Sequence, residues 1–341
     1  MNATVHVSFP AAPDAYPANR HWHAQLCSFV FKALERRFGA RVAFSPWNAA
    51  PPLRDGDTLV TFLPHPALAH WKRSVVIDND TFDVDKWRFA AFRRHGFDVP
   101  LDRVTEPYGL LARQFARVVL CNDITLRRVA ARDPQVADCW DHLFALGGGR
   151  VSLHPHPIDK AFFSRFHGAV PAPNRARMLV YHGGPRKNSA ELIELLRRMG
   201  FAENKDFAVA KHIDKGNDDL ARFLLQSFFF VANTSFSETG PINMWEYLTA
   251  GHIVYGHEEW WDGAGNPRLC WSYDPARMDG NEDNLDHLLR RMDVAALVAE
   301  RDRLWRWWMD RTDNDWPRVT DDVCNQVDRL LSSAYPAVGE G

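Results

Sequence analysis

Cysteine is scarce and scattered. Five residues, Cys27, Cys121, Cys139, Cys270 and Cys324, include no Cys-x-x-Cys pair, which argues against a zinc site and makes reduced thiols in a cytoplasmic protein the expectation. Long apolar stretches are also missing. No uninterrupted apolar run reaches the ~18 residues of a membrane-spanning helix, and the start Met1-Asn-Ala-Thr-Val lacks the charged segment and apolar core of a secretory signal. Neither sign of charge dominates, the formal net charge being −2. With no sustained basic stripe, nucleic acid is not an expected partner.

What is present suits a soluble globular chain long enough for two domains. It has 341 residues, 46% apolar and 25% charged. Short apolar runs alternate with helical patterns. Strands are expected at 5–9, 41–44, 57–63, 75–77 and 118–121, with helices over 21–38 and 124–131. The same alternation runs from Met178 to Tyr273, with strands near 178–181, 206–210 and 228–233 and helices over 190–199, 218–226 and 241–250. Strands separated by helices predict parallel sheets covered on both faces, hence two doubly wound α/β domains.

One stretch carries the most chemistry: Ser235-Phe-Ser-Glu238-Thr-Gly240-Pro-Ile-Asn-Met-Trp-Glu246-Tyr-Leu-Thr-Ala-Gly251. The apolar run before it reads as a buried strand, and Pro241 to Ala250 reads as a helix with Pro at its start and Gly251 at its stop. Glu238 then stands on the loop at the strand's carboxyl end, where open α/β sheets bind ligands, and Glu246 lies in the helix. Carboxylates so separated can grip two ends of one polyhydroxyl ligand through charge-assisted hydrogen bonds. As isolated residues they read equally as a capping group and a solvated charge.

The stretch resembles the signature of retaining GT-B glycosyltransferases of family 4, Ser-x-x-Glu-x-x-Gly-x4-Glu-x-x-x-x-Gly, with Ser235, Glu238, Glu246 and Gly251 in register. The resemblance implies a GT-B fold, two doubly wound Rossmann-like domains facing an interdomain cleft. It implies that Glu238 holds hydroxyls of the donor sugar and Glu246 the ribose hydroxyls of the nucleotide. Backbone N–H groups of Thr239, Gly240, Ile242 and Asn243 would meet the diphosphate. Met178-Leu-Val-Tyr-His182-Gly183-Gly184-Pro-Arg186-Lys187-Asn188 resembles the family's strand, Gly-rich loop and Lys-Gly step. Arg186 and Lys187 would then neutralise the leaving diphosphate, although the loop is shortened and Asn188 stands in the place of glycine. His212, in the polar loop after 206–210, would edge the nucleotide base.

Val151-Ser-Leu-His154-Pro-His156-Pro157-Ile-Asp159-Lys-Ala-Phe162 resembles the family's hinge segment, with His156-Pro157 in place of Asn-Gly. Packing at the hinge is expected of these histidines, since two without a spaced third ligand are a poor metal site. The implied division is an acceptor-binding domain over 1–155, a hinge over 156–176, a nucleotide-sugar domain over 177–312 and a C-terminal helix over 313–341 crossing back to the first domain. The tryptophans of Arg303-Leu-Trp305-Arg-Trp307-Trp308 suit that crossing. In the first domain, Asp78, Asn79 and Asp80 end a strand where the family places sugar-facing groups. Asn79 stands for a histidine there, and Asn79 and Asp80 join Glu238, Arg186 and Lys187 as catalytic candidates. The Gly-Gly loop usual after the first strand is replaced by residues that include Arg20, His21 and His23. Those three, with His65 and Asp78, are acceptor candidates.

The reading implies transfer of a sugar from a UDP- or GDP-linked donor to a hydroxyl acceptor with retention, without metal or resident cofactor. Two alternatives stand beside it: a metal-dependent GT-A transferase using Asp78-Asn79-Asp80, and an inactive GT-B-shaped binding protein. The segment Lys86-Trp-Arg-Phe-Ala-Ala-Phe-Arg93-Arg94-His95 interleaves basic and aromatic residues. It either contacts an anionic membrane at the inner face or buries its aromatics with the basic face in water.

Overall fold

Valine-rich runs form strands in this protein because β-branched side chains crowd a helix but fit a parallel sheet buried on both faces. The computed structural model describes residues 3–19, 22–47, 49–62, 71, 73–78, 117–121, 151–168, 176–181, 189–210, 229–233, 242–257, 272–273, 278–312 and 314–333. The chain divides into two compact units, residues 1–157 with 313–341, and residues 158–312.

In the first unit, β1 (Val5–Phe9), β2 (Val42–Pro46), β3 (Thr58–Phe62), β4 (Ser74–Asp78), β5 (Arg117–Cys121) and β6 (Val151–His154) make one parallel sheet, in the order β2-β1-β3-β4-β5-β6. Helix α1 (Trp22–Phe38) buries Leu26, Val30, Leu34 and Phe38, and ends on Arg36 and Arg37, whose charge complements the negative end of its dipole. Burial, reinforced by the Asp14 carboxylate, pushes the Cys27 thiol up to about 12, so this cysteine is an inert part of the core. Strand ends fall within two residues of those expected. Between α1 and β2, residues 39–41 form a 3₁₀ turn and β2 begins at Val42.

The second unit opens with α2 (Lys160–Phe163), where the Asp159 carboxylate accepts the Phe162 N–H at 3.0 Å. There follow β7 (Met178–Tyr181), α3 (Ala190–Arg198), β8 (Phe207–Ala210), β9 (Phe230–Asn233), α4 (Ile242–Thr249), β10 (Ile253–His257), β11 (Ser272–Tyr273), α5 (Met278–Asp286) and, after a π-helical turn at His287–Arg291, α6 (Val294–Met309). The strands are all parallel, in the order β11-β10-β9-β7-β8. Leu192, Leu195, Phe207, Phe230, Tyr247 and Leu304 are among the residues of its core.

The chain then returns to the first unit as α7 (Trp316–Leu331), which packs on α1, β3, β4 and β5. Contacts along its length fasten it. Trp316 stacks on Phe29, with centroids 4.8 Å apart and planes 8° from parallel. At mid-helix, His154 Nε2 lies 2.9 Å from Asp322 Oδ2, and Gln326 Nε2 donates to Asp322 Oδ1 at 3.1 Å. Burial alone would raise the Asp322 carboxyl, but these hydrogen bonds and the imidazole charge outweigh it and hold the group below its ordinary range. At the far end, the buried Arg73 donates from Nη2 to the Leu330 carbonyl at 2.8 Å, joining the helix's last turn to β4 at its start.

The tryptophans of 305–308 correct the sequence expectation. They lie on α6, and Trp305 and Trp308 bond to α4 within the second unit. Trp316, at the start of the returning helix, packs in the first unit instead. Periodicity marks the buried face of a helix but does not name what covers it.

Candidate functional site

The strand order of the second unit locates a crevice. Chain direction reverses across the sheet between β7 and β9, whose neighbours β8 and β10 lie to opposite sides. Val180 pairs with Ala232, so the two strands end side by side at Tyr181 and Asn233. In open parallel sheets, ligands bind beyond the carboxyl ends of strands at such a reversal. Of the segments leaving these two ends, one leads to α3 and the other to α4.

Helix α4 carries the described part of the candidate site. Ile242 and Asn243 form its first turn, whose N–H groups lack helical acceptors and stand at the positive end of the dipole. Glu246 follows about 6 Å along the axis, at ~1.5 Å per residue, and is only 6% exposed. Glu238, Thr239, Gly240, Gly183, Gly184, Arg186, Lys187 and His212 lie outside the described residues.

What fixes α4 is its last turn. Thr249, fully buried, donates from Oγ1 to the Trp245 carbonyl at 2.7 Å and accepts the Trp308 indole N–H at 2.7 Å. Its backbone carbonyl accepts the Trp305 indole N–H at 2.9 Å. Trp245 stacks on Trp308, with centroids 4.6 Å apart and planes at 14°. Lys160 Nζ donates to the carbonyls of Trp308, at 3.1 Å, and Arg311, and stands 5.2 Å from the Trp308 ring.

Gly251 ends the helix with φ +88, and the N–H of His252 returns to the Tyr247 carbonyl at 3.0 Å. His167 lies against this turn and stacks on Trp305 at 3.9 Å. Its Nε2 is 3.2 Å from Asp302 Oδ1, which also accepts from Arg301 Nε at 3.1 Å. A carboxylate only accepts, so the imidazole hydrogen sits on Nε2. Burial, and then the Arg301 charge, lower the His167 pKa against the opposing pull of Asp302. Sequence reasoning missed Thr249, Lys160 and His167 because each acts through partners far along the chain. The only local sign was the spacing of aromatic residues at 245, 305 and 308.

In the first unit the reversal falls between β1 and β3, whose carboxyl ends are Phe9 and Phe62. His23, in the first turn of α1, packs on Phe62 with centroids 4.3 Å apart. Beside it, the buried Trp22 points its indole N–H at His156 Nδ1, 3.3 Å away, and its ring lies 6.3 Å from Trp316. His156 Nδ1 is also 3.1 Å from the Pro157 carbonyl. It can accept from Trp22 or donate to Pro157, and its protonation selects which. Asp78 closes β4. Arg20, His21, His65, Asn79, Asp80 and the basic segment 86–95 lie outside the described residues.

No protein-family model and no curated protein sequence matches the chain. Solved structures do. A trehalose-6-phosphate synthase is similar over 96% of this chain and 99% of its own, with a TM-score of 0.61 at 11% identity. A glycosyltransferase from Rickettsia africae is similar over 98% and 100%, with a TM-score of 0.56 at 9% identity. The catalytic domain of starch synthase IV from Arabidopsis thaliana, bound to ADP and acarbose, is similar over 97% and 100%, with a TM-score of 0.52 at 8% identity. The fold is GT-B. In a GT-B chain with this strand order, the crevice beside α4 belongs to the later of two Rossmann-like units. The GT-A alternative built on Asp78-Asn79-Asp80 is not favoured, because the chain folds as two doubly wound units.

Proposed function

We propose that this protein is a retaining, metal-independent glycosyltransferase that moves a sugar from a UDP- or GDP-linked donor to a hydroxyl acceptor. The observation that carries the reading is the position of Glu246. It is buried on the helix that follows β9, beside the sheet reversal, with Glu238 eight residues before it. The similar starch synthase holds ADP, and the similar trehalose-6-phosphate synthase transfers glycosyl groups with retention.

In this reading Glu246 accepts hydrogen bonds from the ribose hydroxyls and Glu238 from the donor sugar. Arg186, Lys187 and the N–H groups of Thr239, Gly240, Ile242 and Asn243 steady the diphosphate, and Gly183, Gly184 and His212 complete the nucleotide side. The bond from the anomeric carbon to the phosphate oxygen breaks as the acceptor oxygen bonds the same face, and the acceptor proton passes to the departing diphosphate. Catalysis is then electrostatic support of an oxocarbenium-like state and its leaving group. Asn79 and Asp80 serve the sugar. Arg20, His21, His23, His65 and Asp78 serve the acceptor in the domain formed by 1–155 and the returning helix. We assign polysaccharide biosynthesis at the cytoplasmic side of the membrane as the setting. Among the described residues no helix is long and apolar enough to cross one.

The test is a melting-temperature screen with UDP-, GDP- and ADP-sugars, with and without a chelator, followed by product analysis under both conditions with the donor that stabilises. A ligand bound only by the folded chain raises the midpoint. The expected result is stabilisation by a UDP- or GDP-sugar and chelator-resistant turnover. Stabilisation without turnover on any acceptor would leave the inactive binding protein. No stabilisation and no turnover would end the glycosyltransferase reading, and turnover abolished by chelation would end metal independence.

A further inference from the structure

We infer that Thr249 is a positioning residue of the nucleotide site, the point through which α6 sets the helix that carries Glu246. The inference rests on the glycosyltransferase reading above. Glu246 and Thr249 stand three residues apart on α4, so a rotation or slide of the last turn displaces the carboxylate with it. Thr249 takes part in three of the hydrogen bonds at this junction. Its hydroxyl is used in both directions, donating to Trp245 and accepting from Trp308, and its carbonyl accepts from Trp305. The Thr249 hydroxyl and the indole that donates to it are buried, with Thr249 at 0% and Trp308 at 3% exposure, where an unmade hydrogen bond is expensive and two-way geometry permits one arrangement.

The junction extends beyond α4. Lys160, just after the chain enters this unit, holds the C-terminal carbonyls of α6, and α6 is the last helix before the chain leaves it. Both chain passages are therefore fastened to the same tryptophan that grips Thr249. A helix eight residues long has little stiffness of its own against a ligand, and the clamp supplies it. Thr249 touches no donor atom in this scheme. It acts by holding Glu246 where the ribose hydroxyls arrive.

The experiment measures binding of UDP, GDP and ADP by calorimetry to wild type, Thr249→Val, Thr249→Ser, Glu246→Gln and the Thr249→Val/Glu246→Gln double variant. For the diphosphate that wild type binds, Thr249→Val is expected to raise Kd about tenfold, the scale of one lost buried hydrogen-bond partner, while Thr249→Ser stays within about twofold. The double variant is expected to bind more tightly than the product of the two single effects allows, because valine acts through Glu246. Wild-type affinity in Thr249→Val, or single effects that simply multiply, would overturn the inference while leaving the glycosyltransferase reading intact. A wild type that binds none of the three diphosphates would overturn both. Should Thr249→Val fail to fold, Trp308→Phe removes the indole N–H, keeps an aromatic ring over Trp245 and carries the same comparison.

Discussion

His167 occupies the space that a side chain on Gly251 would need: a Cβ built there would stand 2.8 Å from the imidazole Cδ2 and 3.2 Å from the His167 Cα. The turn that ends α4 also requires φ +88. Gly251→Ala is therefore expected to destabilise the protein by about 2 kcal/mol or more, combining a left-handed backbone with a clash against an imidazole stacked on Trp305 and a tight contact with the His167 Cα. The urea midpoint measures it. An unchanged midpoint would show that the turn and His167 separate freely.

The same histidine makes stability depend on pH. Its folded pKa is lowered from 6.5, by burial first and by Arg301 second. The unfolded chain therefore takes up this proton at a higher pH than the folded chain. Its contribution is intact above the unfolded value, and stability falls as pH drops below about 6.5. His167→Gln is expected to flatten the slope of unfolding free energy between pH 7 and 5. Identical slopes in the two proteins would remove His167 from the acid response.

Trp316 opens α7 against Phe29 and Trp22. Trp316→Ala is expected to cost about 3 kcal/mol, in the range for deleting a large buried aromatic, and to loosen the first unit in particular. Hydrogen exchange would show this as faster exchange in α1 and β3 than in β7 and β9. Equal acceleration in both units would mean that they unfold together.

These contacts show what sequence could and could not convey. Runs such as Val5–Phe9 and Thr58–Phe62 were legible as strands because they are short and rich in β-branched and aromatic residues, and Gly251 was legible as a helix stop because few other residues take its backbone angle. The doubly wound architecture followed from the alternation. Partners were not legible. Nothing near Asp322 announces His154, 168 residues away, and nothing near Leu330 announces Arg73, 257 residues away. Trp305 and Trp308 were assigned to the crossing for the same reason. For the site, the spacing of Glu238 and Glu246 pointed to α4, of which the structure describes Ile242 onward. That Thr249 governs this helix required knowing what lies against it.

Glu238→Gln tests the chemistry directly. The carboxamide keeps the size but loses the charge that, in the proposed function, binds donor hydroxyls and supports a developing cation. Turnover at saturating donor is expected to fall about 100-fold or more, with the melting temperature unchanged. Full turnover would remove Glu238 from the reaction.

The return of α7 to the first unit has a consequence for biosynthesis. Residues 158–312 are complete once the ribosome has passed them, whereas the sheet begun by Val5 waits for a helix translated after all of them. Until then Trp22, Phe29 and the faces of β3 to β5 beneath that helix are uncovered. The unit that starts before residues 158–312 is thus finished after them, and during translation its apolar faces wait the longer for cover.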